Sequence, residues 1–206
     1  MQKLLIATKN PGKFREIGEG LDGLGFEFLF LGDMDVEDGD FVEDGKNFRE
    51  NAFKKASYYG NKLGMMTFGE DSGIFVEALG DELGVQTRRW GAGEAVSDEE
   101  WLEYFLRRME GEENRLARFV CAGCLFDGGV LGEFEGQTRG EISQEILAPI
   151  LPGIPLSSCF IMDGADKVYA AMSAEEKNKG SHRGKVLAQV REHLGSKAYG
   201  QARSDI

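Results

Sequence analysis

The sequence predicts one α/β domain, and three observations carry that reading. The chain opens strand, helix, strand: an apolar run from Lys3 to Thr8, a helical segment from Pro11 to about Leu21, and an alternating run from Phe26 to Phe30. Helices with one apolar face then alternate with β-rich runs. Finally, 206 residues suffice to bury a continuous core, so a single domain is expected over 1–206, with a loose tail after about 195.

Taken in order, Asn10-Pro11 supplies an N-cap residue followed by proline at the first helical position, and Asp22-Gly23-Leu24-Gly25 ends that helix. From Gly32 to Gly45 the chain is acidic and irregular, a loop that carries Glu43. Phe48, Ala52, Ala56 and Tyr59 recur at helical spacing and predict a helix from about Asn47 to Tyr59. Strands at Met65 to Phe68 and Ile74 to Glu77 are expected to flank a glycine turn that bears Glu70 and Asp71. Ser97-Asp98-Glu99-Glu100 is a capping box for a helix whose Trp101, Phe105 and Met109 face the core with Leu102 and Leu106. Two β-rich runs, Leu116 to Phe126 and Val130 to Thr138, meet at the hairpin signal Asp127-Gly128-Gly129. A second capping box, Ser173 to Glu176, precedes a last helix from about Ser181 to His193.

The charge balance limits the partners. Against 24 Lys+Arg stand 36 Asp+Glu, a formal net charge of -12, which disfavours nucleic acid polymers and anionic membranes. A phosphate-bearing ligand has to meet a local basic site or a metal ion, and that favours a small nucleotide. Leu4 to Ala7 is too short for the apolar region of a signal peptide, and about 18 apolar residues never run together, so a cytoplasmic, soluble protein is expected. The three cysteines are an odd number for a disulfide framework. Cys121 and Cys124 have metal-site spacing but no second pair, and they read as buried strand thiols.

Three constellations can carry chemistry. Thr8-Lys9-Asn10-Pro11-Gly12-Lys13 joins a strand to a helix N-terminus, where unpaired backbone donors and the helix dipole favour an anion. Glu70-Asp71-Ser72, with Glu43 from the preceding loop and Asn51 and Lys55 from the helix after it, offers hard oxygen ligands suited to Mg²⁺. Lys177, His182 and Arg183 put three donors at a helix start, a set that can recognise a carbonyl oxygen on a purine. Arg89, beside Trp90, can add a phosphate contact or stack on its neighbour.

Together and in this order the blocks resemble the inosine triphosphate pyrophosphatase family. The matching segments are Ala7 to Lys13, Phe48 to Ala56, Glu70 to Gly73, and Glu176-Lys177-Asn178 with Ser181-His182-Arg183. The resemblance implies a long mixed sheet with flanking helices, two lobes around a central cleft, and a homodimer. It implies Mg²⁺-dependent hydrolysis of ITP, dITP and XTP to the monophosphate and pyrophosphate, a nucleotide-pool cleaning activity. Under it Glu43, Glu70 and Asp71 surround the metal, and Asp71, Lys13 and Lys55 are catalytic. Thr8, Asn10, Lys13, Asn51, Ser72 and Arg89 bind substrate, while Lys177, His182 and Arg183 read the base. The chain departs from the family where a stacking aromatic and an acid are replaced by Ile154 and Ser157. That segment leaves room for a relative with altered base preference, or for a nucleotide-binding protein without catalysis.

Overall fold

In the computed structural model, residues 1–36, 39, 41–93 and 95–195 are described; the expected loose tail after 195 lies outside them. Strand β1 (Gln2–Ile6) leads into α1 (Pro11–Leu21), then β2 (Phe26–Phe30), α2 (Phe48–Leu63), β3 (Thr67–Val76) and α3 (Asp98–Arg108). β4 (Leu116–Phe126), β5 (Val130–Ile142), β6 (Phe160–Met162), α4 (Ala174–Gly180) and α5 (His182–Gly195) complete the chain. The six strands form one mixed sheet in the order β2-β1-β3-β4-β5-β6. β1 runs parallel to both its neighbours, and the remaining pairs are antiparallel.

The predicted elements form where their patterns place them. Asn10 caps α1 by accepting a hydrogen bond from Lys13 N, and the capping boxes at Ser97 and Ser173 both close. α2 runs on to Leu63 and ends at Gly64, whose φ of 61° suits a residue without Cβ. β5 continues past Thr138 to Ile142, because Phe134, Thr138, Gly140 and Ile142 alternate inward to its end. Trp101, Leu102, Phe105 and Met109 are buried in one core cluster with Ile74 and Phe160.

One expectation is corrected. Glu70 and Asp71 do not sit in a turn between two short strands; they lie in the middle of β3, which is continuous over ten residues. Pairing with β4 passes unbroken through Glu70↔Gly123 and Asp71↔Ala122. The flanking glycines serve close approach rather than turning: a Cβ on Gly69 would collide with the Ala52 carbonyl of α2, and one on Gly73 with the Gly84 carbonyl. Composition alone does not separate these two uses of glycine.

The sheet has a gap that positions everything below. β1 pairs with β3 only at Leu5↔Thr67 and Ile6↔Phe68, and one further bond runs from Ala7 N to Phe68 O. The chain then leaves for α1, so among the described residues the β1-facing edge of β3 has no strand beside it from Gly69 onward. A ligand crevice is expected at the carboxyl end of a parallel strand where its neighbours lie to either side, and β1 stops here with β2 on one side and β3 on the other.

Candidate active site

A cleft of about 420 Å³ opens at this gap. Its walls come from the β1–α1 turn, β3, the arginine turn at 87–89, the 153–157 loop and the start of α5.

Strand alternation directs the two adjacent carboxylates to opposite faces of β3. Glu70, 1% exposed, turns towards α1 and α5, where Lys13 Nζ stands 2.9 Å from Oε2 and Arg183 Nη2 donates to Oε1 at 3.1 Å. Cys121 Sγ lies 3.2 Å from the same Oε1. Burial alone would raise the Glu70 carboxyl, but Lys13 and Arg183 outweigh it and hold it well below its ordinary value. Asp71 faces α2. Asn51 Nδ2 donates to its Oδ2 at 2.9 Å, Ser72 N to its Oδ1 at 3.0 Å, and Lys55 Nζ is 3.5 Å away. Here burial prevails, with the neighbouring Glu43 adding to it, and Asp71 is raised above the usual aspartate value against the pull of Lys55 and Lys13. Two carboxylates one residue apart are thus driven in opposite directions by their two faces.

Glu43 reaches the site from its loop, where it is ion-paired with Lys55. Asn51 fixes that loop: its Oδ1 accepts from Gly45 N at 2.7 Å while its amide holds Asp71. Fully buried, with both ends of its amide engaged, Asn51 works through Asp71 and is absent from the cleft wall. Glu43 and Asp71 therefore share one ammonium, whereas Glu70 sits across the strand on Lys13 and Arg183. Among the described residues no three His, Cys, Asp or Glu side chains stand grouped as a metal site. Lys55 stands between Glu43 and Asp71 instead. Two hard carboxylates beside a phosphate-sized space fit the donor set of Mg²⁺, which takes one or two carboxylates and fills its shell with water and phosphate oxygens.

The anion end follows from α1. Thr8 Oγ1 accepts from Asn10 N at 3.1 Å, and Asn10 Oδ1 accepts from Lys13 N at 3.0 Å, so the turn spends two of its amides on its own caps and, with proline at 11, leaves that of Gly12. Asn10 Nδ2 also donates to Gly153 O at 2.6 Å, and Gly153 N donates to Asp98 Oδ2 at 2.6 Å. One residue, a glycine at φ 77°, is thereby held through both its N–H and its carbonyl between the starts of α1 and α3. Arg89 lines the cleft and donates to the Glu43 carbonyl at 3.3 Å.

At the other end, Lys177 and Arg183 both ion-pair with Glu16 on α1. Burial pushes Glu16 up, but Arg183 and then Lys177 hold it below its ordinary value. His182, fully buried and close to Arg183, is lowered to about 3, so it is neutral at any physiological pH. A neutral imidazole offers one donor and one acceptor, and its Nδ1 has no hydrogen-bond partner. Its ring stacks on Phe119 at 4.6 Å between centroids and 12° between planes.

Of the predicted site residues, Thr8, Asn10, Lys13, Glu43, Lys55, Asp71, Ser72, Arg89, Lys177, His182 and Arg183 line this cleft; Asn51 and Glu70 stand directly behind it. Ile154 and Ser157 line it as well. Sequence reasoning missed Glu16, Arg88 and Phe119. Glu16 was detectable as i+3 from Lys13, on the same face of α1. Phe119 shares its strand face with Cys121 and offered no signal beyond apolar alternation. The cysteine reading holds: Cys121, Cys124 and Cys159 are buried, and burial pushes Cys124 and Cys159 up to about 12.

A helix N-terminus, half-buried lysines and carboxylates gathered at the end of a parallel strand on an α/β scaffold are the groups that an enzyme handling phosphate requires. Comparison with known proteins narrows the class. The Ham1 family profile matches residues 4–193, and the chain belongs to that family. It is 38% identical over 198 residues to a protein of Geobacter sulfurreducens named dITP/XTP pyrophosphatase, covering 95% of this chain and 98% of that one. A protein of the same name from Aquifex aeolicus is 39% identical, covering 91% and 94%. The solved structure of a HAM1 protein from Coxiella burnetii superposes with a TM-score of 0.76 at 29% identity, over 95% of this chain and 99% of that one.

Proposed function

We propose that this protein is a nucleoside triphosphate pyrophosphohydrolase that clears ITP, dITP and XTP from the nucleotide pool, releasing the monophosphate and pyrophosphate. One observation carries the reading: a single cleft joins Lys13, Lys55 and Asp71 at one end to Lys177, His182 and Arg183 at the other. The names of the relatives support the same substrates.

In this reading the first turn of α1, Lys13, Lys55 and Arg89 hold the triphosphate. Asp71 accepts a proton from the water that attacks the α-phosphorus, and pyrophosphate leaves as the bond between the α-phosphorus and the bridging oxygen breaks. Burial raises its pKa above the usual aspartate value, which makes it a stronger proton acceptor than a solvated aspartate. Positioning and charge neutralisation do most of the work, as phosphoryl transfer requires. Glu43 and Asp71 would hold Mg²⁺, which when bound neutralises phosphate charge and polarises the phosphoryl oxygens. Glu70 instead anchors Lys13 and Arg183. Lys177, His182 and Arg183 donate to a 6-keto oxygen, and the amine of adenine leaves such donors unpaired, at a cost of roughly 1–3 kcal/mol for each buried one. The reading includes a homodimer, which light scattering on the purified protein tests.

Ile154 and Ser157 in the cleft wall favour a second reading, a related pyrophosphohydrolase of altered base preference. The deciding experiment supplies Mg²⁺ with ITP, XTP and ATP in turn. IMP and pyrophosphate from ITP, with ATP left intact, are expected; orthophosphate and IDP would assign a different bond, and equal turnover of ATP would remove the 6-keto selectivity. Added EDTA is expected to stop turnover.

A further inference from the structure

One face of α2 carries two polar side chains a single turn apart, Asn51 and Lys55, and both reach the same carboxylate on β3. Asn51 ties Asp71 to the loop of Glu43, because its Oδ1 accepts from Gly45 N at 2.7 Å. Lys55 repeats that tie with charge. Its ammonium is ion-paired with Glu43, lies 3.5 Å from Asp71 Oδ1 and donates to the Glu70 carbonyl at 3.0 Å. The side chains are well covered, with 13% of Lys55, 30% of Glu43 and 11% of Asp71 exposed. Lys55 also lines the cleft.

These contacts set two demands on one ammonium. Glu43 and Asp71 are the carboxylates that the proposed function gives to Mg²⁺, and the same reading sends Lys55 to the triphosphate. With Lys55 beside them, a dication on the two carboxylates leaves the cluster net positive, and that repulsion is strong where water is largely excluded. A triphosphate relieves it, because the ammonium can turn on its flexible four-carbon stem from carboxylate to phosphate. We propose that Lys55 is the resident counter-cation of the Glu43–Asp71 pair: it competes with a divalent cation for these carboxylates and yields them when phosphate arrives to accept its charge. The site then takes metal and nucleotide together and holds a free divalent cation poorly. The coupling is reciprocal, so whatever Lys55 subtracts from metal binding alone it returns when both ligands are present. The proposal rests on the nucleotide reading above and adds the order in which its metal site is loaded.

The test titrates Mn²⁺ into the full chain without nucleotide and follows the free ion by electron paramagnetic resonance. Wild type, K55M, K55Q, K54M and the double variant E43Q/K55M are compared, each with its fold checked by circular dichroism. Methionine removes the charge at similar length, and glutamine removes it while keeping a donor for the Glu70 carbonyl. K54M removes an exposed ammonium, the partner of Asp44, and measures what any lost positive charge does to the local field. K55M and K55Q are expected to bind Mn²⁺ about tenfold more tightly than wild type, a coupling of ordinary size for linked sites. K54M should stay within about twofold, since exposed charges are screened. E43Q/K55M should return to wild-type affinity or below. A second measurement needs no variant: acetylation of Lys55 in the wild type, read by mass spectrometry, should accelerate as Mg²⁺ is raised, while that of Lys13 stays constant. The proposal is overturned if neither neutral variant gains affinity, if K54M gains as much, if E43Q/K55M keeps the gain, or if Mg²⁺ leaves Lys55 labelling unchanged. Neither readout involves turnover, so a chain that fails to cleave ITP refutes the hydrolase reading while these measurements still decide the role of Lys55.

Discussion

The two ends of the cleft are held by different forces. At the phosphate end both lysines already have internal counter-charges: Lys13 lies on Glu70, and Lys55 on Glu43 and Asp71. At the base end Glu16 pairs with Lys177 and Arg183, and ring packing is added to those pairs, with His182 stacked on Phe119. In the proposed reading an incoming triphosphate would exchange ion pairs at one end, whereas the base would enter a slot walled by rings at the other. Affinity for the anion would then be tuned by rearranging charge, and affinity for the base by shape.

The largest expected effect tests the first half of that contrast. Asp71→Asn keeps an oxygen for Asn51 Nδ2 but removes the proton acceptor, and kcat for ITP should fall by about 10³-fold with KM changed little. Unchanged turnover would take Asp71 out of the chemistry. Glu70→Gln should strike stability instead. It leaves Lys13 without its partner and Arg183 with Glu16 alone, at a cost of about 3 kcal/mol in denaturant unfolding, since breaking a buried pair is more harmful than never forming it. If Glu70→Gln were to abolish kcat at wild-type stability, Glu70 would belong to the reaction and not to the frame.

The same two carboxylates should separate in pH. Glu70 and Glu16 have folded pKa values below 4.5, so the stability they confer is present above the unfolded value and is lost as pH falls through the folded ones. Asp71 is shifted the other way, so the acid limb of kcat should lie above 3.8, at higher pH than the acid unfolding of these pairs. Coincident midpoints for activity and unfolding would undo the distinction. The smallest effect concerns Gly153, held between the starts of α1 and α3. Asp98→Ala removes the acceptor for Gly153 N and should cost about 1 kcal/mol in a thermal melt, while Asp98→Asn, which keeps an acceptor, should recover most of it.

The contrast also explains what was legible in the sequence. The phosphate end is local: Asn10-Pro11, the helix of Asn51 and Lys55, and the Glu-Asp pair each announce themselves within a few residues. Their convergence depends on where β1 stops, which no short window contains. The placement of Glu70 and Asp71 in a strand escaped because Gly69 and Gly73 mimic a turn, while their actual duty is to let α2 and the arginine turn approach. Phe119 escaped for a different reason. An aromatic residue inside an apolar strand looks like core, and only its position in three dimensions shows that it reaches the cleft wall.

The gap beside β3 has a mechanical consequence. Among the described residues the corner made by β1 and β2 is stitched to the remaining sheet by Leu5, Ile6 and Ala7 alone, whereas β3, β4 and β5 are laced along nearly their full lengths. Amide exchange should see that corner loosen before the antiparallel strands do. A nucleotide gripped at once by α1 and by β3 would span the missing seam, so that catching its substrate also fastens the part of the sheet least firmly sewn.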